Sequence, residues 1–293
     1  MRTEPAAIDE TGQTAAVLAP VPVDVQHIAV GLDGSPFAEH AVPVARWAAD
    51  GIHADVHLLK VVARDERAED EIRYLDSVAR RSHAASWDTA EDDDVTAVMV
   101  AVAQHEGSLV CLATHSRDRS AVLVGSVAVG VLASSPQPVL LAGPRARPVY
   151  DPDAPVVVAV DGSPADDHLV AVALGWANRL ARRLIVVTVA EPVPGPHSEG
   201  PPPQRAHGPT EPERYLMALT ERMIGAEVVV HGEVIDDAIS VRNGLVPFLD
   251  ATACLVVLGT KHRRGLGRAV FGSHAARVVQ GTAVPALVVP TET

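Results

Sequence analysis

Short apolar runs alternate along this chain with stretches whose apolar residues recur at helical spacing. His27-Ile-Ala-Val-Gly-Leu, Val56-His-Leu-Leu-Lys-Val-Val and Ser108-Leu-Val-Cys-Leu read as buried strands. Between the first two, residues 38–49 carry Ala, Val and Trp47 at helical spacing behind Ser35-Pro36, a capping residue followed by a first-turn proline. Pro43 is expected to kink that helix and Gly51 to end it. Residues 66–84 are charged and helical, and 85–91 form a weak strand. Residues 95–104 form a helix opened by Asp92-Asp93-Asp94, whose carboxylates complement the helix dipole. A helix over 127–132 and a strand over 139–142 complete this unit.

The same order then returns. Strand 156–160 leads through Asp161 to a helix opened by Ser163-Pro164 and running to about residue 182. Strands follow at 184–190, 227–231, 254–258 and 286–289, and helices at 214–224, 238–249 and 273–280. Residues 191–212 hold eight prolines and predict a mobile surface loop. Residues 1–24 show no periodicity and read as a flexible lead-in. The Pro-, Arg- and Asp-rich stretch 144–154 reads as a linker between units at 25–143 and 155–293. Strand–helix alternation with short loops predicts an α/β fold: two tandem open parallel sheets, Rossmann-like, with helices on both faces.

The two units share sequence as well as pattern. Ile28-Ala-Val-Gly-Leu-Asp-Gly-Ser-Pro-Phe corresponds to Val156-Val-Val-Ala-Val-Asp-Gly-Ser-Pro-Ala, with Asp161 lying 128 residues after Asp33. Leu112-Ala-Thr-His-Ser-Arg leads to Gly125-Ser126, as Leu258-Gly-Thr-Lys-His-Arg leads to Gly272-Ser273. Both units close on a proline and an apolar run, Pro138-Val-Leu-Leu-Ala and Pro285-Ala-Leu-Val-Val. Ligands of open parallel sheets sit beyond the carboxyl ends of the strands, where strand order reverses. That rule selects the loops after the first and fourth strands, where the two copies agree best.

Composition narrows the function classes. Aromatic residues are only 3% of the 293, so the core is built from Val, Ala and Leu. A net charge of −13, from 24 basic and 37 acidic residues, argues against nucleic acid and against an anionic membrane surface as partners. The basic residues that exist concentrate at Lys261, Arg263, Arg264 and Arg268, which suits a small anion. Cys111 and Cys254 lie in apolar runs and read as core thiols. No apolar leader or membrane-length run is visible, so a cytoplasmic location is expected.

The loop from Gly259 to Ser273 carries the chemistry. Glycines let backbone approach a phosphate closely. The loop ends at a helix whose first N–H groups point outward and form an anion site. Ser273 is placed to cap that helix or donate to a phosphate oxygen, and Lys261 and His262 stand within reach of the same volume. Asp161 can accept from a ribose hydroxyl or an adenine amine.

On these residues the chain resembles a tandem universal stress protein, with the likeness covering about 25–143 and 154–290. Many members of that family bind ATP through a loop written Gly-x2-Gly-x9-Gly-(Ser/Thr), with an Asp at the end of strand one. The resemblance assigns Asp161 to that acidic position. It assigns Val189 to the residue whose backbone meets adenine, and Gly259, Gly272 and Ser273 to the phosphate loop. His262 stands where the second glycine belongs, so its side chain narrows the loop or contacts a phosphate. In the first copy Asp33, Val61, Gly125 and Ser126 match. Ala113 and Ser116 replace two glycines there, and the loop is one residue shorter. The resemblance also implies that the last strands, 139–142 and 286–289, pair the two units within one chain. A homodimer is a further state open to the family.

No Gly-x-Gly-x-x-Gly follows the first strand, and no Walker A sequence occurs. The 13 histidines are scattered, and no nucleophile–base pair is evident. Hydrolysis of bound ATP would need Mg²⁺ and a positioned water. Two classes remain. One is a stress-response protein whose adenine-nucleotide occupancy, ATP foremost and mainly in the second unit, switches its shape or a regulatory protein partner. The other is an interaction module or chaperone-like scaffold with vestigial loops.

Overall fold

The computed structural model describes residues 16–63, 68–114, 125–190, 210–223, 226–236, 240–262, 269–270 and 272–291. Most of the proline-rich 191–212 stretch, and Ser116, Arg263, Arg264 and Arg268, lie outside these residues. The first half runs β1 (His27–Leu32), α1 (Ala41–Ile52), β2 (Asp55–Val62), α2 (Ala68–Ser82), β3 (Ser86–Glu91), α3 (Val95–Gln104), β4 (Ser108–Ala113), α4 (Ser126–Ser134) and β5 (Val139–Ala142). The second half runs β6 (Val156–Ala159), α5 (Asp166–Arg179), β7 (Leu184–Ala190), α6 (Glu211–Glu221), β8 (Val230–Asp236), α7 (Val241–Thr252) and β9 (Leu255–Gly259). The two-residue strands β10 (Lys261–His262) and β11 (Ala269–Val270), then α8 (Ser273–Gly281) and β12 (Ala286–Val289), complete it.

Ten strands form one sheet in the order β3-β2-β1-β4-β5-β12-β9-β6-β7-β8. Every neighbouring pair is parallel except β5 and β12, which run antiparallel with Leu140 opposite Leu287. The expected pairing of 139–142 with 286–289 is therefore present, and it fuses the halves into a single sheet. All eight residues of the two strands are buried, as suits strands covered on both faces. Leu140 and Leu287 enter the core beneath α1, α2, α5 and α6. Leu141 and Ala286 enter the opposite core, beneath α3, α4, α7 and α8. Each core is continuous across both halves. Cys111 and Cys254 are buried free thiols, and burial pushes Cys254 up to about 11.

The extended segments that precede each half are exchanged. Residues 16–21 precede β1 yet lie on the second half, where the Val21 N–H donates to the Ala171 carbonyl and the Leu18 N–H to the Arg222 carbonyl, both at 2.9 Å. The Val21 carbonyl oxygen passes 1.9 Å from where a Cβ on Gly175 would stand, so only glycine fits there. Reciprocally, the Trp47 indole on α1 donates to the carbonyl of Val149, in the segment before β6, at 2.8 Å. Pro20-Val21 and Pro148-Val149 occupy equivalent places in the two copies. Within the expected lead-in of 1–24, the backbone of residues 16, 18 and 21 meets partners on the second half. Prolines favour an extended path, and the backbone finds its partners on a distant helix.

Local boundaries also depart from expectation. α1 begins at Ala41, so Pro43 sits in its first turn, where a missing N–H costs nothing, and no kink is needed. The helix ends not at Gly51 but at His53, which adopts the left-handed conformation at φ 56°. The strand expected at 227–231 lies at Val230–Asp236. Of the three aspartates expected to complement the helix dipole, Asp94 caps α3, accepting from the Ala97 N–H at 3.0 Å.

Candidate functional site

Strand order reverses between β1 and β4 in the first half and between β6 and β9 in the second. Asp33-Gly34-Ser35 leaves β1 as a tight turn in which Gly34 takes φ +84°. The Ser35 N–H donates to Asp33 Oδ1 at 2.8 Å, and Ser35 Oγ accepts from the Ala38 N–H at 3.2 Å. Asp33, Val61, Gly125 and Ser126, four residues singled out from sequence, line one cavity with Leu59, Met99 and Ala113. Its volume is about 170 Å³, smaller than the roughly 300 Å³ of a whole-ligand pocket. The N-terminal turn of α4 lies at its mouth. Gly125 caps that helix without a side-chain hydrogen bond, which leaves the first-turn N–H groups facing the mouth.

In the second half Asp161 follows β6, and its Oδ1 accepts from the Ser163 N–H at 3.2 Å. Val189 lies in β7, partly buried against the α7 face, and Gly259 ends β9. Gly272 caps α8, and Ser273 is its exposed first residue. The hydroxyl of Ser273 was expected to cap this helix. It does not, because Gly272 holds the cap position and Ser273 is already helical. Lys261 and His262 form a short antiparallel ladder with Ala269 and Val270, which the sequence did not suggest. This hairpin reaches across to α4 of the first half. A second link joins the halves at the opposite end of the sheet, where Gln280 Nε2 of α8 donates to Thr114 Oγ1, beside Ala113, at 2.9 Å.

The sequence reading missed the residue that organises the second turn. Asp166 is 3% exposed. Its Oδ2 accepts the N–H of Gly162 at 2.8 Å, the N–H of Asp161 at 3.2 Å and the hydroxyl of Tyr215 at 2.7 Å. Burial pushes the Asp166 carboxyl above its ordinary range, opposed by the Tyr215 and Gly162 hydrogen bonds. Burial and this carboxylate together push the Tyr215 hydroxyl well up. A capping box between Thr210 and Glu213 starts α6 and so sets Tyr215 in place.

The first half keeps the tyrosine and drops the acid. Arg73-Tyr74-Leu75 corresponds to Arg214-Tyr215-Leu216, but Ala38 stands where Asp166 does. The Tyr74 hydroxyl is buried with no hydrogen-bond partner of normal geometry. Desolvation, then the nearby Glu39 carboxylate, push it up, while Arg81 holds that carboxylate at 3.0 Å. Lys60 is buried beneath this turn, paired with Glu71 and 5.5 Å over the Tyr74 ring. The second half has Thr188 in place of Lys60. The repeated Arg-Tyr-Leu triplet, and a carboxylate replacing a small apolar residue in a helix's first turn, were the signals available in the sequence.

Residues 154–290 match the sequence model of the universal stress protein family, and this part of the chain belongs to that family. Universal stress proteins of Mycobacterium tuberculosis and Mycobacterium bovis are each 30% identical over 174 residues, covering 57% of this chain. The match spans 53% of their length, so the chain covers about half of those relatives. Among solved structures, a universal stress protein from Archaeoglobus fulgidus aligns over 90% of this chain and 98% of its own, with a TM-score of 0.60 and 15% identity. The cytoplasmic domain of a prokaryotic cation chloride cotransporter aligns over 90% and 95%, at 0.50 and 13%. These two establish the fold across both halves, and a shared fold carries no function by itself. Among the described residues, no helix is long and apolar enough to cross a membrane.

Proposed function

We propose that this chain binds an adenine nucleotide, ATP foremost, at the carboxyl ends of the parallel strands, and that occupancy acts as a regulatory switch. The two sites are the turn–loop pairs of units 25–143 and 155–293. The observation that carries this reading is the first-half cavity, to which Asp33, Val61, Gly125 and Ser126 come from three separate segments. An apolar floor of Leu59 and Met99 suits a planar base, and an uncapped helix start suits phosphates. In the second half Asp161, Val189, Gly259, Gly272 and Ser273 take the corresponding roles, with Lys261 and His262 at the loop. Mg²⁺ would accompany the phosphates. The first half therefore ranks level with the second, although the glycine spacing favours the second.

Calorimetric titration of ATP with Mg²⁺ tests the reading. Two sites per chain are expected. One site would restrict function to one half. The absence of heat, together with no nucleotide released on denaturing the purified chain, would replace the reading by the interaction module.

A further inference from the structure

We propose that Asp166 is the positioning residue of the second-half nucleotide site: with Tyr215 it locks the turn that presents Asp161, and Ala38 leaves the first-half turn without that lock. The inference rests on the nucleotide reading above.

A single carboxylate oxygen gathers three donors, from Asp161, Gly162 and α6. Asp166 Oδ1 lies 3.4 Å from the Ser163 hydroxyl, at the far side of the same turn. The turn is therefore tied to the helix that follows it and to the helix on its flank. Gly162 adopts φ +80°, and a Cβ there would meet nothing within 4 Å. The Asp166 bonds tie both peptides of this turn, at Asp161 and Gly162. Charge-assisted bonds to backbone N–H groups are the stronger kind, and they act here away from water.

The internal repeat supplies the control. The same turn in the first half has the same glycine geometry, at φ +84°. There Ala38 replaces the acid, the flanking Tyr74 faces the Glu39 carboxylate without a hydrogen bond of normal geometry, and the paired Lys60 lies beneath the turn. The two turns differ in how they are held and in the sign of the charge beneath them. The second-half site is preorganised, and preorganisation lowers the ordering cost of binding. The titratable groups acting on Asp166 are Asp161 in the turn and Tyr215 on α6.

The test uses the full chain by NMR, with Asp166→Asn and Tyr215→Phe. Asn keeps the size and one acceptor oxygen, and Phe removes a single hydroxyl, so both variants should fold. In ligand-free protein, amide exchange at Asp161 and Gly162 is expected to accelerate about tenfold, the scale of losing one hydrogen bond to a charged group. The Gly34 amide should not change. ATP with Mg²⁺ is then titrated while the Gly125 and Gly272 amides report each site. Second-site affinity is expected to fall about tenfold in both variants, with first-site affinity unchanged. Unchanged exchange at Asp161 and Gly162 overturns the lock. Accelerated exchange with unchanged second-site affinity overturns the positioning role. If the wild-type chain binds no ATP, the nucleotide reading fails and takes the positioning role with it. The exchange data still report on the lock, so the two failures are distinguishable.

Discussion

Arg222 grips Asp167 with both terminal nitrogens, at 2.8 and 2.6 Å, and Arg81 holds Glu39 in the equivalent place in the other half. Arg222 does more than its counterpart. Its Nε donates to the Ala16 carbonyl, and its own carbonyl accepts from Leu18. Hydrogen bonding to Asp167 raises the guanidinium's pKa against the opposing effect of burial. Arg222→Ala is expected to cost about 1 kcal/mol, since Asp167 is half exposed and solvent screens the pair. A denaturant double-mutant cycle with Asp167→Ala would read the coupling. A coupling of zero would assign the bond no stabilising role.

Gly175→Ala introduces a Cβ into the Val21 carbonyl. Either the helix or the arm must move, and overpacking of this kind costs about 1–3 kcal/mol. The arm is the cheaper part to displace. Limited proteolysis should then cut between residues 16 and 26, where the wild-type chain resists. A protected arm in the variant would mean that the helix yields instead.

Gly272→Val should abolish nucleotide binding at the second site with thermal stability nearly unchanged. A Cβ at Gly272 meets nothing within 4 Å, and its backbone, at φ −60° and ψ 144°, is open to any residue. The side chain would project into the volume assigned to phosphate. Binding that survives at wild-type affinity would remove Gly272 from the site.

Asp166 gives a pH dependence opposite to that of a surface acid. Its carboxyl is raised above the unfolded value of 3.8, so the folded state takes up its proton first as pH falls. The associated stability is fully present below 3.8 and is lost as pH rises through the higher folded value. Denaturant midpoints of wild type and Asp166→Asn, compared from neutral pH downward, should shift progressively in favour of wild type until they level off near the unfolded value. A constant difference would show that this carboxylate does not titrate differently in the two states. The charge thus costs global stability while ordering one turn, as strain held at a functional site does.

The duplication and the element order were legible because they rest on local periodicity and on repeated words, and the β5–β12 pairing followed from the resemblance to tandem universal stress proteins. Strand 139–142 is apolar at every position, which argues for cover on both faces and for an interior place in the sheet. What was illegible lies in partners far apart along the chain. Asp166 meets Tyr215 across 49 residues, and Trp47 meets Val149 across 102. No local window contains both members of such a pair. The Pro-Val arms carry no periodicity because an extended segment bonded through its backbone leaves its side chains few constraints. The boundaries of α1 shifted for a simpler reason. A short 3₁₀ turn at Ala38–His40 takes up the Ser35 cap, and the α-helix proper starts after it.

The crossed arms change what a break in this chain would mean. A cut ahead of Val149 in the 144–154 segment would leave two pieces, each still wearing the strap that belongs over the other. The pieces could not simply drift apart, because each would bare an apolar helix that only its sibling can cover. The protein is better pictured as a handshake than as beads on a string, and it should melt in one step.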